Sequence, residues 1–489
     1  MGRSGLLLSL VVLLGSCVAG KYNPARKFSA GQLQEDYAIF RASLEEAHPS
    51  LYWYTPKDSM DFYFETGRNR LKDSLTEGQF RTVLSYVIAK IRDGHASVRP
   101  SKAATEGPGQ NAPFPLYIKA WPDTVVVTAN INRRDSAVVR GVVLKSIDNR
   151  PIPQIVDSLF AYLPADGYNL THKYQTLSNG SNFRNLYALV YGLRLRTPVT
   201  FLDTANQLRT AMLSLYNARA DTARGRREQP PKIPRRERKK MEREMMRNFR
   251  IDTALNTAFL EVNTFTKGYG LRRFFRRSFR TINKQHLPNL VVDMRGNGGG
   301  SVILSNLLTK YIARAPFTIA DTLYAIRRSS HYGKYRENRF LNWLFLQFLT
   351  RKKADGRYHF TWFESKKFKP KNRYHFNGMT YIITGGNTFS AASLFTKALY
   401  KQENVVVVGE ETGGGAYGNT AWLIPDVTLP NTKVRFRLPL FRLVIDKNEV
   451  KGRGVIPQVP APPSVEDIRK NRDYKLEKVK ALIREKSTQ

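Results

Sequence analysis

Residues 378–399 read GMTYIITGGNTFSAASLFTKAL, and the fold prediction starts from this stretch. An apolar run at 379–384 ends in a Gly-Gly-Asn turn, and after Ser390 the apolar residues recur at helical spacing. A serine on a tight turn between a buried strand and a helix start lies beside the first N–H groups of that helix, as nucleophilic acyl transfer requires. The position also suits an ordinary N-cap serine, and this segment alone favours the cap.

Two more buried strands run into glycine-rich turns. Residues 289–312 read NLVVDMRGNGGGSVILSNLLTKYI, and residues 404–416 read NVVVVGEETGGGA. Neither turn is a nucleotide-binding motif, because Gly415 stands where a P-loop needs lysine and Ser301 stands where a dinucleotide fingerprint needs its last glycine. Glycines there let main-chain N–H groups point at an anion, so the pattern indicates an oxyanion hole beside the serine.

A serine nucleophile needs a base, and one of the seven histidines has distinctive surroundings. His95 lies in IRDGHASVRP, on an Asp-Gly turn that follows an amphipathic helical pattern. A single histidine on a turn is more often a local hydrogen-bonding residue than a catalyst. The sequence around His95 therefore leaves both roles open.

Taken in order, these pieces resemble the tail-specific (C-terminal processing) serine peptidase family, which also contains the tricorn core protease. The ordered pieces are the turn at 93–95, a PDZ-like middle, a strand at 259–262, the loop at 293–300, the Ser390 turn, the glycines at 409–415 and a closing Gly-Val-Ile-Pro at 454–457. The resemblance spans roughly residues 30–485 and implies a multidomain α/β fold. Its parts would be an N-terminal helical region, a PDZ-like domain and a crotonase/ClpP-like peptidase core.

The resemblance also implies a catalytic site. One version of the family uses serine and lysine, but Gly415 holds the place of that lysine here, and Lys397 and Lys401 are interpreted as the polar face of a helix. The tricorn-like version uses serine, histidine and an acid. It makes Ser390 the nucleophile and His95 the general base, and the oxyanion donors are the N–H groups of Gly298 or Gly299 with that of Ala391. No metal or organic cofactor is implied.

The acidic third member is less plain from sequence. Relatives often carry an acid directly before the closing motif, where this chain has Lys451, so Glu449, two residues earlier, is the candidate for orienting His95. The Pro-Asp that follows the closing motif in the family is Pro457-Gln458 here. These departures leave open an alternative, a catalytically inactive peptide- or envelope-binding lipoprotein on the same fold.

The N-terminus predicts export. Residues 1–20 hold one early charge, an apolar run at 6–14 and the sequence Leu-Gly-Ser-Cys at 14–17, which resembles a bacterial lipobox with Cys17 as the lipidated residue. Ordinary signal cleavage, for example after Ala19, is the alternative. Cys17 is the single cysteine of the chain, so disulfides and cysteine-based metal sites are excluded. We expect an envelope protein, an outer-membrane lipoprotein facing the periplasm.

The domain prediction follows from composition and pattern. After the signal with its lipobox (1–20), it comprises a helical region (28–105), a PDZ-like domain (113–205), a basic insertion (217–250), the α/β serine peptidase core (256–460) and a C-terminal helix (464–486). The insertion holds 13 basic and 5 acidic residues and few apolar ones, which is typical of a solvated segment.

The positive charge of the chain indicates which kinds of partner it could bind. The chain carries 79 basic and 40 acidic residues, a formal net charge of +39. Residues 331–375 combine 12 basic and 3 acidic residues with 12 aromatic ones. Such a basic and aromatic segment can bind single-stranded nucleic acid, but an export signal argues against that partner. The alternatives are a lid that packs on the core and a surface that contacts anionic membrane.

Together these features predict an envelope serine endopeptidase that cleaves polypeptides through an acyl-enzyme. The membrane would be a second partner, through the lipid anchor and the basic, aromatic segment. The sequence leaves the oligomeric state open.

Overall fold

The structure is a computed structural model that describes residues 22–106, 114–132, 135, 137–216 and 233–487. The predicted signal and Cys17 lie outside these residues. The N-terminal region is mostly helical, and Ser29 and Gln32 form a capping box at its first long helix. Its elements are β1 (Lys27–Phe28), α1 (Ala30–Ala47), α2 (Lys57–Arg68), β2 (Leu75–Thr76), α3 (Glu77–Ile91), β3 (Ser97–Arg99) and α4 (Lys102–Glu106).

The middle region has its own sheet and its own apolar core. The strands pair in the order β4-β5-β6-β8-β9, with β7 on β6, and the helices bury an apolar cluster against them. The elements are β4 (Leu116–Trp121), β5 (Thr124–Asn130), β6 (Val143–Ile147), β7 (Arg150–Pro151), α5 (Ile152–Phe160), α6 (Leu170–Ser178), α7 (Asn182–Tyr191), β8 (Arg196–Leu202) and β9 (Leu208–Ser214). The PDZ-like interpretation of this region stays a prediction.

The remaining elements build the α/β core, its attached sheets and the C-terminal helices. The helices are α8 (Arg235–Met246), α9 (Leu271–Lys284), α10 (Val302–Ile312), α11 (Arg339–Leu349), α12 (Ala391–Leu399), α13 (Val465–Arg469) and α14 (Tyr474–Ser487), with a 3-10 turn at Gly333–Tyr335. The strands are β10 (Arg247–Asp252), β11 (Thr257–Val262), β12 (Asn289–Asp293), β13 (Thr322–Ala325), β14 (Arg351–Lys352), β15 (Tyr358–His359), β16 (Met379–Thr384), β17 (Val405–Gly409), β18 (Gly418–Asn419), β19 (Asp426–Thr428), β20 (Arg435–Arg437), β21 (Arg442–Val444) and β22 (Val459–Pro460).

The central sheet confirms the α/β prediction. Its order is β10-β11-β12-β16-β17-β22, parallel except for β10, and its inner strands are apolar because helices cover both faces. One face packs on α9, α10 and α12, and the other packs on α14. The turns after β12, β16 and β17 therefore meet at one carboxyl edge, where α/β proteins place their sites.

Smaller sheets join distant parts of the chain around this edge. The strand β3, just after His95, pairs with β20, and the N-terminal helices share one apolar core with residues from β13, β20 and β21. A further sheet runs β14-β15-β13-β21-β18. This packing brings the turn that carries the predicted base onto the core, where Thr420 contacts Asp93 across 327 residues of sequence.

Two predicted bounds meet a different structure. Of the predicted basic insertion, the structure describes the residues from 233 onward. They form the exposed helix α8 and the strand β10, which joins the central sheet. The sheet therefore begins at Arg247 rather than after residue 256. The C-terminal helix is two helices, because Asp473 accepts the Leu476 N–H and starts a new one. Within the described residues, no helix is both long and apolar enough to span a bilayer.

The basic, aromatic segment at 331–375 divides its apolar side chains. Leu346, Phe360 and Phe363 are buried in the core shared with the N-terminal helices. Others stay exposed, among them Phe340 and Phe348 on α11. Part of the segment thus packs as a lid is expected to, and part presents an apolar surface to solvent.

Candidate active site

Ser390 lies on the turn between β16 and α12. Its backbone has φ 54° and ψ −121°, a conformation that a side-chain-bearing residue adopts only when its surroundings impose it. It occupies the N-cap position of α12, yet its side chain makes no capping hydrogen bond. The ordinary cap role is thus not realised, and the hydroxyl is left for another partner.

Hydrogen bonds around the turn impose that conformation. The Thr388 hydroxyl donates to the Met294 carbonyl (2.9 Å), and the Ser393 hydroxyl donates to the Thr388 carbonyl (2.8 Å). The Phe389 N–H donates to the Asn297 carbonyl at 3.0 Å. The serine turn is therefore tied to the glycine loop (residues 295–300) that follows β12.

The glycine loop packs directly under Ser390. Gly299 has φ 99°, and a Cβ there would lie 2.7 Å from the Ser390 Cβ and 3.0 Å from the Ala391 nitrogen. Both conditions exclude any other residue at this position. An ion pair of 2.7 Å between Asp293 and Arg295 anchors the start of the loop.

The predicted oxyanion donors differ in availability. The Gly299 N–H already donates to the Asn297 Oδ1 at 2.8 Å, and the Asn297 amide is buried and donates in turn to the Val262 carbonyl. Within the described residues, the N–H groups of Gly298 and Ala391 donate to no protein acceptor. The geometry therefore favours Gly298 with Ala391, and makes Asn297 the residue that holds the loop.

His95 reaches the site on the turn after α3. That helix ends at Arg92, whose φ of 61° turns the chain, and the Ala96 N–H closes the turn on the Asp93 carbonyl. The imidazole is buried and stacks on the ring of Phe389, with centroids 4.5 Å apart. Both ring nitrogens lack a hydrogen-bond partner among the described residues, so His95 makes no direct hydrogen bond to Ser390, and its stacking on Phe389 is the contact that links it to the serine turn.

Two buried carboxylates flank His95, and neither was predicted. Asp166, between α5 and α6, places Oδ1 3.6 Å from the His95 Nδ1, and Asp93 places Oδ1 3.8 Å from the same atom. Asp166 accepts the N–H of Gly94 at 2.9 Å and that of Gly415 at 3.1 Å. It therefore connects the histidine turn to the second glycine-rich loop.

Asp93 is held ionised by its partners. Burial alone raises its pKa, but contacts with His48 and His95 and the hydrogen bond from Thr420 outweigh burial and hold the pKa well below its usual range. The His48 Nε2 lies 3.0 Å from the Asp93 Oδ2, and the His48 Nδ1 accepts the Ser50 N–H. His48 therefore points its ring N–H at Asp93.

Asp93, His95 and Asp166 also bring one oxygen or nitrogen each within 4.8 Å of one another, as a metal site does. All four carboxylate oxygens already have a hydrogen bond or close contact from a protein N–H or O–H. This donor set suits the positioning of an imidazole between two carboxylates better than an open ligand shell.

The structure places Glu449 elsewhere. Its carboxylate accepts the Tyr400 hydroxyl at 2.5 Å and pairs with Lys401 at 2.8 Å and Lys397 at 3.2 Å. Burial raises its pKa, and the hydrogen bonds from Lys401 and Tyr400 bring the net value below the usual range. Glu449 is thus a member of a surface charge cluster, and the acids next to His95 are Asp166 and Asp93.

The lysines that could have served as an alternative base also have other contacts. Lys397 pairs with Asp446 at 2.8 Å, and Lys451 lies 5.3 Å from the ring centre of Tyr417. At Gly415, a Cβ would come within 2.6 Å of the Gly418 carbonyl oxygen, so the backbone there leaves no room for a lysine. Gln458 accepts the Val407 N–H and has a structural role.

An apolar groove of about 370 Å³ opens beside the glycine loop, at the first turns of α10. Its walls are mostly aromatic and aliphatic, with Arg272 and Lys310 at the rim. The apolar lining includes Val302, Ile303, Leu307, Phe363 and Trp422. A groove of this kind can accept an apolar side chain.

Sequence reasoning missed Asp166, His48 and His172. His172 is partly buried, stacks on the other face of Phe389 at 4.6 Å and places Nδ1 2.7 Å from the Gly386 carbonyl oxygen. Asp166 stands in an Asp-Gly pair, which signals a turn and nothing more, and His48 precedes a proline at the end of α1. None of these signals points to His95.

Comparison with known proteins agrees with this fold. Residues 256–460 match peptidase family S41. The crystal structure of mature CPAF is similar over 93% of this chain and 97% of that one, with 16% identity and a TM-score of 0.61. The structure of mature CPAF complexed with lactacystin is similar over 93% of this chain and 98% of that one, with 15% identity and a TM-score of 0.59. These likenesses show the fold. In a comparison with curated proteins, no sequence matched. The core at residues 256–460 thus matches peptidase family S41, and this match supports a serine-type peptidase.

Proposed function

We propose that this chain is an endopeptidase of the bacterial cell envelope that cleaves peptide bonds through an acyl-enzyme on Ser390. One observation carries the proposal: Ser390 is held at φ 54° without a capping bond, and the next residue back, Phe389, carries the ring on which His95 stacks. A strained serine beside a buried imidazole is the arrangement that activates a hydroxyl.

His95 takes the Ser390 proton as the hydroxyl oxygen attacks the scissile carbonyl. Asp166 and Asp93 then stabilise the imidazolium and orient its ring, since both lie within 4 Å of Nδ1. His95 returns the proton to the leaving amine, and water, deprotonated by His95, later releases the acyl group.

The N–H groups of Gly298 and Ala391 bind the tetrahedral oxyanion. Ala391 N–H is at the first position of α12, where the helix dipole adds positive potential. Asn297 fixes the loop through hydrogen bonds with Val262, Gly299, Phe389 and Met294, so the donors are in place before the substrate arrives.

The substrate is a polypeptide with an apolar side chain at the groove beside the glycine loop. That groove is preformed and its lining is almost entirely apolar. The PDZ-like middle region would take an extended segment of the same polypeptide as an added strand.

The envelope location rests on the N-terminal sequence. Lipid on Cys17 would anchor the mature chain, and α11 would add a contact with the membrane surface. The support for that contact is the exposure of apolar side chains on α11, including Phe340 at 65% and Phe348 at 76%, next to the exposed Arg351 and Lys352. A Cys17→Ser variant should lose the lipid mass and the membrane fraction while the wild type keeps both, and an unlipidated wild type would exclude the anchor.

A second candidate function is peptide binding without turnover. The observation that motivates this second function is that, among the described residues, neither ring nitrogen of His95 has a hydrogen-bond partner. Catalytic hydrogen bonds are often loose before substrate binds, so this geometry alone does not favour it over catalysis.

Labelling with a fluorophosphonate serine probe, read by intact mass, separates the two functions. We expect one adduct on the wild type and none on Ser390→Ala or His95→Ala, with Ser74→Ala, at an exposed position, as the matched serine control. A folded wild type that stays unlabelled with its groove open favours the binding protein. If the His95→Ala variant is still labelled, His95 is not the base that activates Ser390.

A further inference from the structure

The outer face of α9 carries only positive charge. Its inner face packs Leu271, Phe275 and Phe279 on the core, and its exposed face holds Arg272, Arg273, Arg276, Arg277 and Arg280. Residues three or four apart on a helix are neighbours, so these guanidinium groups repel one another. The first turn of α9 holds no acid and contains two arginines, whose positive charge is unfavourable beside the positive end of the helix dipole.

These charges converge on a groove with cations from a second segment. Four of the α9 arginines line a groove of about 410 Å³ with Lys371 and Arg373, and the side walls are Tyr311 and Tyr374. The groove has no acidic lining residue. Six cations therefore face one concave surface.

The fold supplies no counter-charge to them. In the described part of the chain, none of the six cations has a carboxylate within ion-pair distance, although many other basic residues of the protein do. The crowding extends beyond the groove: burial, followed by the charges of Arg243 and Arg277, lowers the pKa of Arg247. The surplus of positive charge is thus uncompensated by the protein itself.

The groove is also preformed. The backbone of Lys371 donates to the Lys310 carbonyl (2.7 Å), and that of Phe376 donates to the Tyr311 carbonyl (2.8 Å). The Asn283 amide of α9 donates to the His375 carbonyl at 3.1 Å. The segment at 371–376 is therefore fixed to both α9 and α10, and the two cation sets are held facing each other.

We propose that this groove binds a ligand with two or more clustered phosphate groups. Guanidinium groups bind phosphate oxygens bidentately, and six cations exceed what a single monovalent anion can neutralise. The phosphates can belong to a soluble polyphosphate or to a lipid headgroup. The groove lies at the end of α10 opposite the glycine loop, so it is a site separate from Ser390 and does not rest on peptidase activity.

The test compares two variants that lose the same charge. R273Q/R276Q/R277Q/R280Q neutralises the groove, and R235Q/R236Q/K239Q/K240Q neutralises the far end of α8, which also carries acids. Calorimetric titration of the full-length protein uses inorganic triphosphate at low and moderate salt. We expect binding that weakens with salt, and a loss of at least about tenfold in the groove variant alone, since four charge-assisted contacts are removed.

A second measurement keeps the test independent of a failed fold. Without polyanion at low salt, the groove variant should melt at or above the wild-type temperature, because like charges are removed, and triphosphate should raise the melting temperature of the wild type and of the α8 variant only. If the fourfold variant does not fold, R276Q/R280Q takes its place.

Co-sedimentation with vesicles distinguishes the two phosphate sources. Triphosphate binding lost only in the groove variant supports a soluble ligand. Binding only to vesicles that contain cardiolipin, whose headgroup carries two phosphates, with phosphatidylcholine vesicles as control, and lost only in the groove variant, supports a lipid headgroup. Binding to neither probe, or equal losses in both variants, overturns the proposal.

Discussion

The ring of Phe389 stacks on the imidazole of His95 with centroids 4.5 Å apart and planes 27° apart. Phe389 immediately precedes Ser390, so this contact joins the base, which follows α3, to the nucleophile turn of the core. The other face of Phe389 stacks on His172 from the middle region. One aromatic ring thus sets the relative position of three parts of the chain at the site.

Replacing Asp166 tests which acid supports His95. Asp166→Asn should lower kcat/KM by about 10²–10⁴-fold, because the imidazolium loses a carboxylate 3.6 Å away. Glu449→Gln is the matched control and should stay within about threefold, since it breaks only partly exposed ion pairs of about 1 kcal/mol or less. Steady-state kinetics with circular dichroism of both variants decides; the reverse order of effects would restore Glu449.

Adjacent glycines should respond differently to alanine. Gly299→Ala places a Cβ 2.7 Å from the Ser390 Cβ at φ 99°, so we expect activity to fall by more than about 100-fold and stability to fall by roughly 1–3 kcal/mol. Gly298→Ala meets open space and keeps its N–H, so activity should remain. Denaturant unfolding and kinetics measure both. Equal effects would mean that the loop is not packed against Ser390.

Phe389 should matter to activity beyond its share of stability. Phe389→Leu loses stacking on two imidazoles, which costs about 0.5–1.5 kcal/mol per pair, and lets His95 reorient, so we expect kcat to fall about tenfold or more. Phe395→Leu removes a buried ring from α12 and should destabilise the protein with little change in kcat. If the two variants have equal kcat at equal folded fraction, Phe389 only fills space.

Stability should fall as pH drops below neutrality, partly through His172. Burial lowers its pKa from 6.5; His95 and Lys173 add to this, and the Gly386 carbonyl and Asp166 oppose it. The unfolded chain then binds the proton first, so the free energy of unfolding decreases as pH falls from about 6.5 towards the folded-state pKa.

His172→Gln should therefore flatten the dependence of melting temperature on pH between 7.5 and 5. The matched variant His286→Gln, at an exposed position, should keep the wild-type slope. A slope that is unchanged in His172→Gln would show that other groups carry the acid sensitivity.

The sequence by itself determined the core and the two candidate catalytic side chains. Strands of β-branched residues that end in glycine turns, followed by amphipathic helices, specify a parallel sheet with its site at the carboxyl edge, because period and turn chemistry act within a few residues. Ser390 and His95 stand on such turns, so local sequence marked them as candidates, and the resemblance of the ordered motifs to the peptidase family gave them their predicted roles.

The tertiary structure alone decided which groups surround them. Asp166 reaches the Gly94 turn across 72 residues, and Thr420 reaches Asp93 across 327. No periodicity encodes such contacts, because they result from the packing of separate regions. Glu449 was chosen for its place near the closing motif, but Lys397 on α12 and Tyr400 and Lys401 directly after that helix hold it elsewhere. Hydrogen-bond partners are set by distance in space, and only the folded chain fixes that distance.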